Sequence, residues 1–300
     1  MKKFLIIGSG GFIGNHISLY FKNLGYDVYT ADILIKEEPN YFILNSESSN
    51  FSDLFNLIKF DVCINASGAA NVNLSFEYPE LDFNLNTINV YKLLSAIRTY
   101  NPNCKFINFS SAAVYGDPKI LPIKESFSPR PISPYGFHKH YSEIICEEFF
   151  NIYKIQTISL RVFSVYGEGL KKQLFWDLHK KIKNSNNQQI SILGSGKESR
   201  DFIYINDLLQ VLNLIITKLN FQGQRINVAN GEEILISDVV EMFIKIVKKP
   251  IQINYDNEGL VGNPKNWIAD ISILKQLGYI KKYNLSDGLT NYINWLNENN

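Results

Sequence analysis

Cysteine, net charge and long apolar runs are all scarce in this 300-residue sequence. The three cysteines, Cys63, Cys104 and Cys146, are scattered without metal-ligand spacing, so we expect small core residues in a reducing cytoplasm and no metal site. Thirty basic residues against 29 acidic ones leave a net charge of +1, which argues against a surface dedicated to nucleic acid or anionic lipid. Because no apolar run could span a bilayer, we expect no membrane partner.

Short apolar runs alternate with longer amphipathic ones through the first half of the chain. This alternation is typical of βαβ units, and the nearly continuous apolar strands indicate a parallel sheet that is covered on both faces. We therefore predict an α/β fold with a doubly wound, Rossmann-type parallel sheet. The predicted strands are Phe4–Ile7, Asp27–Ala31, Asp61–Ala66, Lys105–Phe109 and Thr157–Val162, and the predicted helices are Ile13–Leu24, Phe51–Ile58, Asn84–Thr99 and Tyr135–Ile152.

The pattern loosens after Gly167. A proline-rich stretch, Asp117–Pro134, predicts a long irregular loop, and a loop of that length in a compact domain is often functional. Further along, we predict helices over Lys171–Lys183, Asp207–Lys218 and Ser237–Val247, and strands over Ile190–Leu193 and Arg225–Ala229.

A glycine-rich turn links the first strand to the first helix. Gly8, Gly11 and Gly14 would permit a tight turn, close approach of a pyrophosphate to the backbone, and close packing of the helix on the strand. Asp32 ends the second strand, where a carboxylate would accept hydrogen bonds from an adenosine ribose and repel a 2′-phosphate, so NAD is favoured over NADP. The alternatives are a plain turn for the glycines and a loop-capping acid for Asp32.

A tyrosine and a lysine lie four residues apart at the start of a predicted helix, which Ser133 and Pro134 would begin. Tyr135 and Lys139 then share one helical face, where the ammonium would favour the phenolate. Ser111 follows a predicted strand, at the end of a parallel sheet where ligands bind. The alternatives are a packed tyrosine, a solvated lysine and a turn serine.

Taken together, these residues resemble the extended short-chain dehydrogenase/reductase family, and specifically its NAD-dependent epimerase/dehydratase group. The similarity covers nearly the whole chain. The matching features, in family order, are the glycine loop with Phe12 and Ile13, Asp32, Ser111 before Val114-Tyr115-Gly116, Tyr135 with Lys139, and the segments Leu160–Gly167, Ser199–Asp207 and Asn266–Asp270.

The resemblance implies NAD as cofactor and a nucleotide-diphosphate sugar as substrate. It implies an NAD-binding Rossmann domain over 1–165, to which 201–230 return, and a substrate-binding domain over 166–200 and 231–300. It also implies a homodimer formed by the helices Asn84–Thr99 and Tyr135–Ile152, with Tyr91, Leu94, Phe149 and Phe150 as candidate contacts. Burial of these four side chains in the monomer core is an equal alternative.

The family pattern also assigns roles to single residues. The implied catalytic residues are Ser111, Tyr135 and Lys139. Tyr135 and Lys139 are also expected to bind the cofactor. The other implied cofactor contacts are Gly8, Gly11, Phe12, Ile13, Gly14, Asp32 and Ala66, and the implied substrate contacts are Asn84, Ser111, Ser164 and Arg200.

The sequence departs from the family pattern at several positions. Ala112 and Ala113 replace the acid pair that sugar dehydratases use, and two alanines cannot supply a general acid and base. Ser164 stands in place of a usual asparagine, and Leu260 in place of a frequent phosphate-binding arginine. Arg200, Lys171, Lys172 and Lys265 are candidates to compensate for the lost phosphate contacts.

We therefore predict an NAD-dependent epimerase of a nucleotide-activated sugar, acting at C4 through a transient 4-keto sugar. The first alternative is an NAD(P)-dependent 4-ketoreductase or dehydrogenase, because the same three side chains serve that chemistry. A remote alternative is a non-catalytic dinucleotide sensor, which would have no need for a complete set of catalytic side chains.

Overall fold

A seven-stranded, fully parallel sheet forms the centre of the computed structural model, which describes residues 1–45, 50–185, 188–257, 262 and 264–299. The strand order reverses where the first and fourth strands lie side by side, and in such sheets ligands bind at the carboxyl ends of the strands near this point. In spatial order the strands are Gln224–Val228 (β11), Thr157–Val162 (β6), Lys105–Ser111 (β5), Val62–Asn65 (β4), Lys3–Ile7 (β1), Asp27–Asp32 (β2) and Tyr41–Ile43 (β3).

Both faces of the sheet are covered, as the apolar strands predicted. Along β1, Phe4 and Ile6 belong to one hydrophobic cluster while Leu5 and Ile7 belong to the other, and all four side chains are fully buried. Alternate side chains of a strand point to opposite faces, so the central strand contributes to two separate apolar layers. The predicted doubly wound α/β fold is confirmed.

The helices pack on these two faces. Helix Phe12–Asn23 (α1) contacts Ile205–Lys218 (α8) on one side. On the other side, Asn89–Tyr100 (α5) contacts both Ser52–Leu57 (α2) and Pro134–Tyr153 (α6). None of the described helices is both long and apolar enough to cross a membrane. The helices are Phe12–Asn23 (α1), Ser52–Leu57 (α2), Val72–Glu77 (α3), Pro79–Phe83 (α4), Asn89–Tyr100 (α5), Pro134–Tyr153 (α6), Gln173–Asn184 (α7), Ile205–Lys218 (α8), Ile236–Val247 (α9), Ser272–Gln276 (α10) and Leu285–Asn299 (α11).

In the later part of the chain, the described residues form three two-stranded sheets. Leu178, Phe243 and Leu289 from its helices join the same apolar cluster as Phe4 and Ile6, so the later part shares a core with the large sheet. The division into two domains remains a prediction. The pairs are Ser164–Tyr166 (β7) with Phe202–Tyr204 (β10), Ser199–Arg200 (β9) with Ile234–Leu235 (β12), and Gln189–Ile192 (β8) with Gln252–Tyr255 (β13).

Two predicted helices begin differently in the structure. The helix expected from Lys171 begins at Gln173, because Lys172 has an extended backbone with φ −158° and ψ 172°. The helix expected from Asn84 opens instead with a π-helical turn, Asn84–Ile88, which follows α4 directly and leads into α5. π-helical turns often occur at functional sites.

The candidate dimer contacts divide into two pairs. Leu94 and Phe149 are buried within the single chain, at 0% and 2% exposure, so the expectation that they contact a second copy is wrong. They face the sheet because they lie on the inner sides of α5 and α6, in the cluster that covers β4 and β5. Tyr91 is 49% exposed and Phe150 is half-buried, and both remain available at the surface.

Candidate active site

The glycine-rich turn carries the chain from β1 into α1. Gly8 has φ +83°, and a Cβ there would lie 2.6 Å from the backbone nitrogen of Ser67, beyond the end of β4. A Cβ on Gly14 would overlap the carbonyl oxygen of Gly8, so α1 packs as closely on β1 as the sequence predicted. Gly11, by contrast, is exposed, and among the described residues a Cβ there would meet only the Gly8 carbonyl oxygen, at 3.3 Å.

The first turn of α1 is available to an anion. The backbone N–H groups of Phe12, Ile13 and Gly14, in the first turn, have no intrahelical acceptor, and no side chain of the described residues caps the helix at Gly11. Phe12 and Ile13 are half-buried around this turn. Free N–H groups and the positive end of the helix dipole together favour a phosphate at this position.

Asp32 lies at the end of β2 beside the glycine turn. Its Oδ2 accepts a hydrogen bond from the Gly10 backbone nitrogen at 2.8 Å, and its Oδ1 accepts from Ile33 at 2.8 Å and Leu34 at 3.3 Å. The carboxylate therefore caps the loop, as the alternative interpretation held. It is half-buried, and a carboxylate has about four acceptor positions. Capacity thus remains for a ribose hydroxyl, and the cofactor role stays a prediction.

Ala66 follows β4 and lies next to Gly8. Its backbone nitrogen donates to the carbonyl oxygen of Ile7 at 2.9 Å, and its carbonyl carbon would lie 2.8 Å from a Cβ on Gly8. The ends of β1 and β4 therefore meet at the point where the strand order reverses, and Ala66 lies at this meeting point.

Ser111, Tyr135 and Lys139 meet at the carboxyl end of β5. Ser111 ends that strand, while Tyr135 and Lys139 lie one turn apart on α6, with the lysine nitrogen 5.9 Å from the centre of the tyrosine ring. Both α6 side chains are buried, at 8% and 6% exposure. The Ser111 hydroxyl lies near enough to the Tyr135 phenol to lower its pKa, and it accepts from the Ala113 nitrogen at 3.1 Å. The three side chains that the sequence singled out are thus brought together.

Local contacts explain why α6 begins where it does. Ser133 precedes the helix and its hydroxyl accepts from the Gly136 nitrogen at 3.2 Å, as expected of an N-cap. A Cβ on Gly136 would lie 2.7 Å from the carbonyl oxygen of Ala113, so the first turn of α6 packs directly on the segment after β5. This close approach holds Tyr135 next to Ser111.

Burial changes the acidity of both α6 residues. It raises the pKa of Tyr135 to about 12, an effect that the Ser111 hydroxyl reduces and the charge of Asp82 increases. It lowers the pKa of Lys139 to about 8; Asp82 and Glu143 oppose this shift, and the charge of Lys172 adds to it. The lysine nitrogen donates to the carbonyl oxygen of Phe109 at 2.8 Å, so the ammonium is held in place.

The other three predicted substrate contacts, Asn84, Ser164 and Arg200, lie on other segments of the chain. Asn84 is exposed at the start of the π-helical turn, and Ser164 is half-buried at the start of β7. In the ranges that the structure describes, no hydrogen bond joins Asn84, Ser164 or Arg200 to Ser111, Tyr135 or Lys139. Their substrate roles remain predictions.

Arg200 is engaged by the protein itself. Its guanidinium donates to the carbonyl oxygens of Ser199 at 2.7 Å and Lys265 at 3.2 Å and lies 5.4 Å from the centre of the Trp267 ring. Burial lowers its pKa to about 10, although the charges of Glu198 and Asp117 oppose the shift. Arginine has five N–H donors, so two backbone contacts leave others for a phosphate.

The candidate compensating lysines differ in position. Lys171 lies 5.6 Å over the ring of Trp295, on the last helix, and the backbone of Lys265 contacts Asp117 and Arg200. Of these candidate lysines, Lys172 is the one whose charge contributes to lowering the pKa of Lys139, which places it on the active-site side. Leu260, the expected replacement for an arginine, lies outside the described residues.

Sequence reasoning missed a buried polar group beside Lys139. His138 Nδ1 donates to Asp82 Oδ2 at 2.6 Å, and Asn86 Nδ2 donates to Asp82 Oδ1 at 3.0 Å. The only local signal was the position of His138 next to Lys139. Nothing in the sequence pairs it with an aspartate 56 residues earlier.

A family model agrees with this geometry. The NAD dependent epimerase/dehydratase family matches residues 4–229. The chain belongs to this family. Its members are NAD-dependent enzymes, so the cofactor is NAD, as the sequence predicted, and the protein is an NAD-dependent enzyme.

Individual relatives match this chain over almost its whole length. A putative UDP-glucose 4-epimerase of Methanocaldococcus jannaschii is 29% identical and covers 99% of both chains. An uncharacterised UDP-glucose epimerase, YtcB, of Bacillus subtilis is 29% identical over 98% of both chains. Among solved structures, UDP-glucuronic acid 4-epimerase of Bacillus cereus with UDP-glucuronic acid and NAD is 28% identical, covers 99% of both chains and superposes with a TM-score of 0.89.

Proposed function

We propose that this family member inverts the configuration at C4 of a UDP-activated sugar. The observation that carries the proposal is the meeting of Ser111, Tyr135 and Lys139 beside two buried alanines, Ala112 and Ala113. This arrangement offers one proton acceptor for a sugar hydroxyl but no acid–base pair for expelling water, which disfavours a dehydratase. The names of the relatives, epimerases of UDP-glucose and UDP-glucuronic acid, support the same reaction.

The residues present fit NAD. The exposed Gly11 and the uncapped start of α1 would hold the pyrophosphate, and Asp32 would hold the adenosine ribose. The buried amide oxygen of Asn86 lies near Lys139 and has no hydrogen-bond partner within the described part of the chain, so it needs a donor such as a hydroxyl. Lys139 would also bind the ribose of the nicotinamide. The bound cofactor supplies the group that takes a hydride from the sugar carbon and returns it.

Tyr135 exchanges the proton of the sugar hydroxyl in this proposal. As a phenolate it accepts the proton when the hydroxyl is oxidised, and it returns the proton when the 4-keto sugar is reduced on its other face. With a pKa raised to about 12 by burial, the phenolate is rare unless positive charge stabilises it. The Lys139 ammonium supplies such a charge, and Ser111 donates to the sugar oxygen and lowers the phenol pKa.

Product analysis of the purified enzyme tests the proposal. UDP-glucose, UDP-glucuronic acid and UDP-N-acetylglucosamine are each incubated with it, and the sugars are separated while absorbance at 340 nm is followed. A C4 epimer formed without net NADH supports the proposal. Stoichiometric NADH would instead establish a dehydrogenase, and NAD-loaded protein that converts none of the three sugars would count against the proposal.

We also propose a homodimer that forms through α5 and α6. Tyr91, Phe137, Tyr141 and Ile144 are between 41% and 49% exposed on these helices, and the rings of Phe137 and Tyr141 are 6.2 Å apart. An apolar strip of this kind on two adjacent helices matches itself when a twofold axis runs through it. Light scattering should give a mass of about twice 34.4 kDa, and Tyr141→Glu should give the monomer mass.

A cytoplasmic location is part of the same proposal. It is supported by Cys63, Cys104 and Cys146, which are all buried and unpaired, as expected in a reducing compartment. Fractionation of the source cells with a cytoplasmic marker tests it.

A further inference from the structure

Asp82 is a buried carboxylate that the proposed reaction leaves without a role. It lies on α4 at 3% exposure and accepts from His138 Nδ1 at 2.6 Å and from Asn86 Nδ2 at 3.0 Å. Thr87 adds a third link, because its hydroxyl donates to the carbonyl oxygen of His138 at 2.9 Å. These bonds tie the π-helical turn to the residue that immediately precedes Lys139.

The carboxylate determines which way the Asn86 amide faces. An ionised carboxylate only accepts hydrogen bonds, so the amide nitrogen must point to Asp82 and the amide oxygen must point away. That oxygen is buried and finds no hydrogen-bond partner among the residues that the structure describes. A Cβ on Gly68 would overlap it and would lie 3.5 Å from the Lys139 nitrogen. The unpaired oxygen and the lysine therefore face the same space beside Gly68, at the carboxyl end of β4.

We infer that Asp82, held by His138, is a positioning residue for the catalytic side chains: it fixes the Asn86 oxygen toward the space beside Gly68 and supplies a buried negative charge next to Tyr135 and Lys139. Neither Asp82 nor His138 is one of the three proposed catalytic side chains, Ser111, Tyr135 and Lys139. The Asp82–His138 pair acts on the catalytic side chains through the Asn86 amide and through the negative charge of Asp82.

The charge has a directional effect. Asp82 raises the pKa of Tyr135 and also raises that of Lys139, which burial lowers overall to about 8. The other charged groups that act on Lys139 are Lys172, just before α7, and Glu143 on α6. Removing the Asp82 charge should therefore move both the phenol and the ammonium titration to lower pH. Loss of local packing alone would not produce this paired shift.

The first experiment measures NAD affinity of the purified chain by calorimetry from pH 6 to 10. Binding should weaken as Lys139 loses its proton, and in Asp82→Asn this weakening should begin about 1 pH unit lower. Glu80→Gln, which removes a carboxylate from an exposed position on the same helix, is the matched control and should match the unmodified chain. An unshifted Asp82→Asn profile would overturn the inference.

The second experiment follows turnover, because the role serves the proposed epimerase. The pH–kcat curve of Asp82→Asn should move as a whole to lower pH, with kcat at pH 8 reduced about tenfold or more. His138→Asn keeps an N–H donor near the position of Nδ1 and should retain most activity, whereas His138→Leu should not. Equal loss in both His138 variants would contradict the inference. A shifted NAD profile in a chain that converts no sugar would leave the inference standing and remove the proposed function.

Discussion

The guanidinium of Arg161 on β6 donates two hydrogen bonds to the carboxylate of Glu143 on α6, 2.9 Å from Nε to Oε1 and 2.7 Å from Nη2 to Oε2. Both side chains are almost wholly excluded from solvent. Ser110, on β5, also donates to Oε1 at 2.7 Å. One ion pair thus joins the catalytic helix to two central strands, at the same end of the sheet as Tyr135.

Breaking this ion pair should destabilise the fold. Glu143→Gln leaves a buried guanidinium without a counter-charge, and we expect the free energy of unfolding to fall by roughly 3–5 kcal/mol. Chemical denaturation measures the loss. The control is Glu147→Gln, whose ion pair with Arg225 is partly exposed and should be worth no more than about 1 kcal/mol. Equal effects of the two substitutions would contradict the assigned importance of the buried pair.

The same ion pair predicts a pH dependence of stability. Burial alone would raise the pKa of Glu143, but the hydrogen bonds from Arg161 and Ser110, the charge of Arg161 and the nearby His140 ring outweigh it and lower the pKa to about 2. The folded state therefore holds this proton less tightly than the unfolded state. The contribution of the ionised Glu143 carboxylate to the free energy of unfolding is complete above the ordinary glutamate pKa near 4.5 and is lost as the pH falls toward 2. In Glu143→Gln, the melting temperature should vary less between pH 5 and pH 2.5.

Tyr135→Phe tests the catalytic assignment directly. Removing the phenol oxygen removes the proposed proton acceptor, so we expect kcat to fall by about 10²–10⁴-fold with little change in NAD content. The ring remains to fill its buried position, and the melting temperature should stay within a few degrees. Tyr141→Phe, an exposed position on the same helix, provides the control. Near-normal turnover in Tyr135→Phe would refute the mechanism.

Local sequence signals predicted where the glycine turn and the paired α6 side chains lie. The glycine turn, Asp32 and the pair Tyr135 and Lys139 depend on neighbours within a few turns of chain, where periodicity and spacing carry the information. The strands of two or three residues, such as β9 and β12, are too short to show any period.

Long-range polar contacts were not predictable in the same way. Asp82 meets His138 only because α4 packs on α6, and Arg161 meets Glu143 because α6 packs on β6. Asp201 similarly accepts from Asn230 and Ala269, which are 29 and 68 residues away. A single sequence does not encode such pairings in any local pattern, since the fold itself creates them.

Asp32 should select NAD over NADP. Its carboxylate faces the glycine turn and would repel a 2′-phosphate, so Asp32→Ser should lower the ratio of NAD to NADP affinity by about tenfold or more. Titration with each dinucleotide measures the ratio. Asp27→Asn, at the opposite end of the same strand, should leave it unchanged. If Asp32 only caps the loop, both affinities should fall together and the ratio should stay constant.

Gly14→Ala should abolish NAD binding. The added methyl group would overlap the Gly8 carbonyl oxygen, so α1 must move away from β1 and its first turn can no longer face the pyrophosphate. We expect the purified variant to contain less than about a tenth of the NAD of the unmodified chain, measured after denaturation and chromatography. Asn15→Ala, the next residue and an exposed one, should retain its NAD. Full NAD occupancy in a folded Gly14→Ala variant would show that the cofactor does not depend on this turn, and the phosphate-binding assignment of Gly11, Phe12 and Ile13 would then be wrong.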